Sequence, residues 1–203
     1  MTGRIRTRTY HHGDLERALV DAAVTLLRTG GPEALTLRAV ARAVGVSQTA
    51  PYRHFTDRRA LVAAVAEEGF RQLQQTMLDA LTRAEGREGL RQVAVAYVHF
   101  GHAHTAEYRI MFGSEVARQD DLPQLREASH GVLGFVTQGI TALQAAGLVG
   151  AGDPAVMAVT TWAVLHGIVM LSLDGQTAGV APSLDALVEE ATRLMMFGMA
   201  PRE

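Results

Sequence analysis

The segment TLRAVARAVGVSQTAPYRHF, residues 36–55, constrains the fold more than any other part of the chain. Its spacing is that of two short helices joined by a tight turn. Thr36 is placed to cap the first helix. Leu37, Val40, Ala41 and Val44 recur at helical spacing and make its inner face, with Ala41 small where the second helix must come close. Gly45 follows where the chain must turn sharply, a position that calls for positive φ. Val46 plugs the corner, and Ser47 is placed to cap a second helix that begins with Gln48, Thr49 and Ala50. Pro51 then falls near the start of that helix. Its missing N–H would have met only the carbonyl of Ser47, so the usual cost of about 3 kcal/mol for a proline inside a helix is much reduced. A helix this short is not stable alone. The fixed φ of the proline preorganises it with Gln48, Thr49 and Arg53 on the outward side.

The charge distribution gives this hairpin a purpose. Net charge is −2, but residues 1–60 hold ten arginines against five acids, a balance of +5, and the remainder stands at −7. A basic module suited to a polyanion is thus joined to an acidic body. Arg4, Arg6 and Arg8 form a basic arm ahead of it. On the hairpin, Arg38, Gln48, Thr49 and Arg53 are long or polar enough to reach base edges, and arginine to guanine is the commonest such contact. Tyr52, His54, Arg58 and Arg59 can donate to phosphates, which position a reader on a duplex without specifying sequence. The free N–H groups at the Ser47 end add a phosphate docking point.

The rest of the chain reads as helix. Apolar residues recur at helical spacing over 14–28, 58–81, 90–104, 107–112, 122–146, 154–173 and 184–199, and no alternation persists long enough for strands. The boundary between modules falls near residue 57, at the start of a continuous helix, so 1–57 and 58–203 are expected to be rigidly coupled. The uncharged stretch 154–173 is long enough to span a bilayer. It lacks the flanking basic residues of a membrane span, and a helix apolar on all faces equally suits a core or a subunit interface. There is no cysteine, which fits a reducing cytoplasm.

The residues 15–27, TLRAVARAVGVSQTAPYRHF and TDRRALVAAVAEEGF together resemble the tetracycline-repressor (TetR) family of transcriptional regulators. The ending Tyr52-Arg53-His54-Phe55 is characteristic of that family's recognition helix, and Trp162, His166 and Gly167 in WAVLHGI match a subgroup with a Trp-x3-His-Gly C-terminal domain. The resemblance implies an all-α homodimer of about nine helices. Three N-terminal helices bind an inverted-repeat operator in double-stranded DNA, and the remainder binds a small-molecule effector and dimerises. It further implies that Arg38, Gln48 and Thr49 face bases and that Thr36, Tyr52, His54 and Arg58 face phosphates. Arg58 stands where the family usually has lysine, which keeps the charge and changes the donor geometry.

Pocket candidates in the body are Tyr97, Phe100, His104, Phe112, Phe135, Trp162 and His166. His99 and His102 lie one turn apart and could share a metal, but no cysteine or carboxylate cluster completes a site, and neither metal nor cofactor is expected. Glu107 beside His104 reads as ordinary surface. No nucleophile elbow, phosphate-binding loop or dinucleotide fingerprint argues for an enzyme. Two other readings compete: a dimeric regulator that binds no ligand and has a filled interior, and a helical metal-binding protein or enzyme with an incidental basic end.

Overall fold

The computed structural model describes residues 12–180 and 183–198, so the basic arm with Arg4, Arg6 and Arg8 lies outside the described residues. Among the described residues there are eight α-helices, two short 3-10 helices and no strands. The helices are α1 (His12–Gly30), α2 (Leu37–Val44), α3 (Arg58–Leu81), α4 (Gly86–Ala103), α5 (Thr105–Met111), α6 (Pro123–Ala145), α7 (Pro154–Leu173) and α8 (Leu184–Gly198). The long α3 is the spine. It packs on α4, α5 and α6 along its length and touches α1 near its start, so one rigid rod runs from the N-terminal module into the body.

The N-terminal module closes as its spacing requires. Thr36 Oγ1 accepts from the Ala39 N–H at 3.1 Å, and Gly45 terminates α2 with φ 77°. Leu37 and Val40 are buried in one cluster with Leu19, Ala23 and Leu27 of α1 and with Phe55, and Ala41 is fully buried. A cap of this type contributes about 1 kcal/mol.

The second helix of the hairpin differs from expectation. Residues 48 and 49 form a turn, and only Ala50–Arg53 winds regularly, as a single 3-10 turn. The Ser47 carbonyl is taken by the Ala50 N–H at 3.0 Å, and the Pro51 carbonyl accepts from both His54 and Phe55. Ser47 does not cap the backbone; its hydroxyl meets that of Thr49 at 3.2 Å. With four residues, no second i→i+4 bond can follow the first, so the tighter winding wins. Pro51 is buried rather than merely tolerated, and it anchors the turn to the module's core together with Phe55.

In the body, α4, α7 and α8 pack on one another and α6 closes the bundle against α3 and α7. Gly101 of α4 is where α4 and α7 come closest: a Cβ there would meet Val169 Cγ1 at 2.5 Å. The α7 helix is long and apolar enough to cross a membrane, with mean hydropathy 1.9, and it packs across α4, α6 and α8. Its other side leaves Val156, Val159, Val164 and Leu171 exposed.

Candidate nucleic-acid interface and body cavity

On the N-terminal module the sealed inner face leaves an outer face of polar side chains. Arg38, Gln48, Thr49, Tyr52 and Arg53 are exposed, Tyr52 by 53 % despite its aromatic ring. Arg42 lies one turn beyond Arg38 on α2 and shares its face, and the spacing of four is the sequence signal that marks it. Among the described residues, the side chains of Arg38, Arg42 and Arg53 make no ion pair or hydrogen bond within the chain. By contrast Arg28, Arg71, Arg91, Arg109 and Arg193 all pair with carboxylates.

Three residues expected at phosphates have hydrogen-bond or ion-pair partners within the chain. Thr36 is exposed, with its oxygen accepting the cap hydrogen bond. The His54 side chain is only 9 % exposed, and its Nδ1 lies 3.3 Å from Glu16 Oε2 of α1. Arg58 donates from Nε to the Leu35 carbonyl at 2.9 Å and from Nη2 to the Pro32 carbonyl at 2.8 Å, and it is ion-paired with Glu115. Arg59, beside it, is paired with Asp121 and donates to the Arg118 carbonyl at 2.7 Å. Arg58 and Arg59 thus tie the start of α3 to the segment between α5 and α6.

The second tie between module and body corrects the reading of Glu107 as surface. Glu107 of α5 is 3 % exposed, covered by α1 and its Arg28, whose Nε donates to Glu107 Oε1 at 2.6 Å. His104 Nδ1 lies 3.3 Å from Arg28 Nη2, and the His104 ring stacks on Phe100 at 4.5 Å. Phe100 and His104 therefore belong to this junction. His99 reaches Asp185 and His102 reaches Ser172, each at 2.7 Å, so the three histidines diverge to separate partners.

The body encloses a cavity of about 40 Å3 between α3, α4, α6, α7 and α8. Tyr97, Phe112 and Trp162 line it; Phe135 instead lines a groove with Leu81 and Leu143, and His166 sits outside the wall against Phe112, at 4.5 Å between centroids. Thr161, Met77 and Met195 also line it, and nothing local in the sequence marked them out.

At one end of the cavity four polar groups form a chain. Trp162 Nε1 donates to Tyr97 Oη at 2.8 Å, Tyr97 and Tyr108 hydroxyls are 2.7 Å apart, and Tyr108 Oη is 2.7 Å from His166 Nδ1. Indole is a donor only. If every buried hydroxyl hydrogen is to find an acceptor, Tyr97 donates to Tyr108 and Tyr108 donates to an unprotonated His166 Nδ1. Burial pushes the Tyr97 hydroxyl up to about 12, raises that of Tyr108 further, and lowers His166 below its ordinary value. A proton on Nδ1 would reverse the Tyr108 bond and strand the Tyr97 hydrogen.

This has a measurable consequence. The unfolded chain binds the His166 proton more readily than the folded one, so stability is complete above about pH 6.5, the ordinary histidine value, and falls as pH drops through the lowered folded value. Melting temperature is expected to be lower at pH 5.5 than at pH 7.5. His166→Asn, which keeps an acceptor near Tyr108 and does not titrate, flattens that dependence in part. His102, lowered by burial and then by the nearby His99, retains the remainder.

An exposed, unpaired basic face on a helix-turn-helix, tied by ion pairs to a helical body with an internal cavity, defines a DNA-binding regulator. Two family models match the chain: bacterial regulatory proteins of the tetR family over residues 19–65, and the tetracyclin repressor-like C-terminal domain over residues 90–195. The chain belongs to the TetR family, whose members bind DNA and dimerise. It is similar to a protein of unknown function from Rhodococcus sp. RHA1, 37 % identical over 96 % of this chain and 100 % of that one, with a TM-score of 0.84. It shares its fold with the flavonoid-responsive regulator FrrA, at 23 % identity, 94 % and 100 % coverage and TM-score 0.67. It also shares it with the fatty acid degradation regulator FadR from Bacillus halodurans, at 16 % identity, 92 % and 97 % coverage and TM-score 0.73. Among curated proteins no significant match is found.

Proposed function

We propose that this protein is a homodimeric, sequence-specific transcriptional repressor that leaves an inverted-repeat operator when a small molecule enters the body cavity. Residues 1–57 read the DNA in the cytoplasm, and residues 58–203 bind the effector and dimerise. The observation that carries this reading is the grouping of Arg38, Arg42 and Arg53, all exposed and without an ion pair among the described residues, beside the exposed Tyr52 on the helix-turn-helix. Unpaired guanidinium groups keep their donors available for guanine edges and phosphates. Arg38, Gln48, Thr49 and Arg53 are assigned to bases and Tyr52, Thr36 and Arg42 to phosphates. His54 and Arg58 support the reader from within, and Ser47 holds Thr49 at the exposed turn.

Dimerisation is supported by α7. Its exposed stripe of Val156, Val164 and Leu171 is continuous with Gly167, where an added Cβ would meet nothing within 4 Å, and Leu194 of α8 is 55 % exposed. A glycine inside a helix costs about 1 kcal/mol, and nothing within the protomer requires it. Close approach of a second helix does. The Trp162-x3-His166-Gly167 element also supports membership of the subgroup that carries it.

Coupling between cavity and reader runs through α5. Tyr108 belongs to the polar chain at the cavity, and its neighbour Glu107 holds Arg28 of the reader module. A ligand displacing Trp162 or Tyr97 moves Tyr108, and through α5 the seat of α1. It releases DNA only by binding the displaced state more tightly than the DNA-competent one. The cavity favours this over a regulator without a ligand, which needs a filled interior.

Selection of bound sequences from random duplexes tests the reading. The expected result is an inverted repeat with half-sites one helical turn apart, about 34 Å, or a multiple. No enrichment, or a site without two-fold symmetry, overturns it.

A further inference from the structure

Threonines inside the helices of this protein satisfy their hydroxyls by donating to the carbonyl one turn back. Thr25, Thr76, Thr137, Thr141 and Thr160 all do so at 2.8–3.0 Å. Thr192, on the cavity wall, donates to the Val188 carbonyl at 2.9 Å. Thr161, next to Thr160 on α7, is the exception. It is 6 % exposed, it lines the cavity, and its Oγ1 has no hydrogen-bond partner among the described residues. Leaving such a group unpaired is costly, and native proteins rarely do so without a reason.

The other polar groups at the wall are committed. Tyr97 and Trp162 are bonded to each other, and Ser129 Oγ donates to Gln119 Oε1 at 2.9 Å. No charged side chain lines the cavity among the described residues, and its surface is otherwise that of Phe, Leu, Val and Met side chains. An ionised ligand group would enter without a partner, at a desolvation cost that no contact there offsets. The cavity is narrow at about 40 Å3, but Met77 and Met195 on its wall are unbranched and repack readily around a slender guest.

We infer that the effector is an uncharged, slender, mainly aliphatic molecule with one oxygen acceptor, a ketone or alcohol, which receives a hydrogen bond from Thr161 Oγ1. This rests on the ligand-responsive reading above, which supplies the cavity's role. It adds the ligand class and the residue that selects it.

Trp162 is the sole tryptophan and lines the cavity, so its fluorescence reports occupancy of the full-length protein directly. The probes are 2-nonanone, 1-nonanol, n-nonane, nonanoate and nonylamine, each titrated against protein alone and against protein on its selected operator. Binding of 2-nonanone and 1-nonanol is expected, with nonanoate and nonylamine at least tenfold weaker. Thr161→Val replaces the hydroxyl by a methyl of similar shape. It is expected to weaken 2-nonanone by about tenfold, the worth of one such hydrogen bond, to leave n-nonane unchanged, and to melt no lower than the native protein. Thr161→Ser, which keeps the hydroxyl, retains the preference for ketone over alkane.

Tightest binding by nonanoate or nonylamine overturns the inference, as does an unaltered ketone preference in Thr161→Val or no response to any probe. Binding of the neutral probes without release of operator leaves the ligand class standing and removes the induction reading. Release by a charged probe alone does the reverse.

Discussion

Replacing Arg38 and Arg53 together by alanine is expected to abolish specific operator binding while leaving the fold intact. Both side chains are exposed and have no partner among the described residues, so their removal uncovers no buried group. Surface changes of this kind alter stability by no more than about 0.5 kcal/mol. Each arginine seated on a guanine contributes about 1–3 kcal/mol of discrimination, or roughly 5- to 150-fold per half-site. Two in each protomer, acting on both halves of a palindrome, multiply to a loss beyond ordinary titration ranges. Fluorescence anisotropy with the selected operator and with a scrambled duplex separates the roles. If Arg53 touches phosphate rather than base, Arg53→Ala lowers affinity for both duplexes alike and reduces the salt slope by about 1. Wild-type binding by the double variant would remove the reader assignment altogether. Arg58→Ala provides the contrast. Its guanidinium holds the Leu35 and Pro32 carbonyls and pairs with Glu115, so the loss should appear in the melting temperature as well as on DNA.

Tyr108→Ala is expected to be among the most destabilising single changes in the body. The ring is fully buried; it meets Tyr97 edge-on at 6.1 Å between centroids and stacks on His166 at 5.6 Å. Truncating a buried aromatic ring to alanine costs about 3–5 kcal/mol. For a chain of this size that lowers the melting temperature by about 6–20 °C. Protomer concentration must be held constant, because dimerisation shifts apparent stability. Tyr108→Phe isolates the hydroxyl. It preserves the packing but strands both the Tyr97 hydrogen and His166 Nδ1, at about 1–3 kcal/mol for each group left unsatisfied. If Tyr108→Phe melts as the native protein does, the polar chain contributes nothing to stability and cannot transmit a change in the cavity.

The local parts of this fold could be read without coordinates. Thr36, Gly45 and the spacing of Leu37, Val40 and Ala41 define α2 because capping, positive φ and helical periodicity are properties of a few neighbouring residues. Helix α3 begins and ends where its pattern does, at Arg58 and Leu81, for the same reason. The winding of residues 48–53 was not legible, since α and 3-10 turns use the same residues and differ only in whether an N–H reaches the carbonyl four or three positions back. The choice was made by Pro51 and Phe55 settling into the module's core.

The sequence by itself determined that this chain is helical, that it carries a basic hairpin with the spacing of a DNA reader, and which arginines stand on that hairpin. Only the tertiary structure decided which of those charges remain available. Arg58 and His54 carry the same local signals as Arg53, but their partners, Glu115 and Glu16, lie 57 and 38 residues away along the chain. Likewise the buried Glu107, the relay from Trp162 to His166 and the unbonded hydroxyl of Thr161 exist only once separate helices meet. Periodicity and capping act within a turn or two of backbone, whereas pairing and burial depend on distances in space that no local pattern encodes.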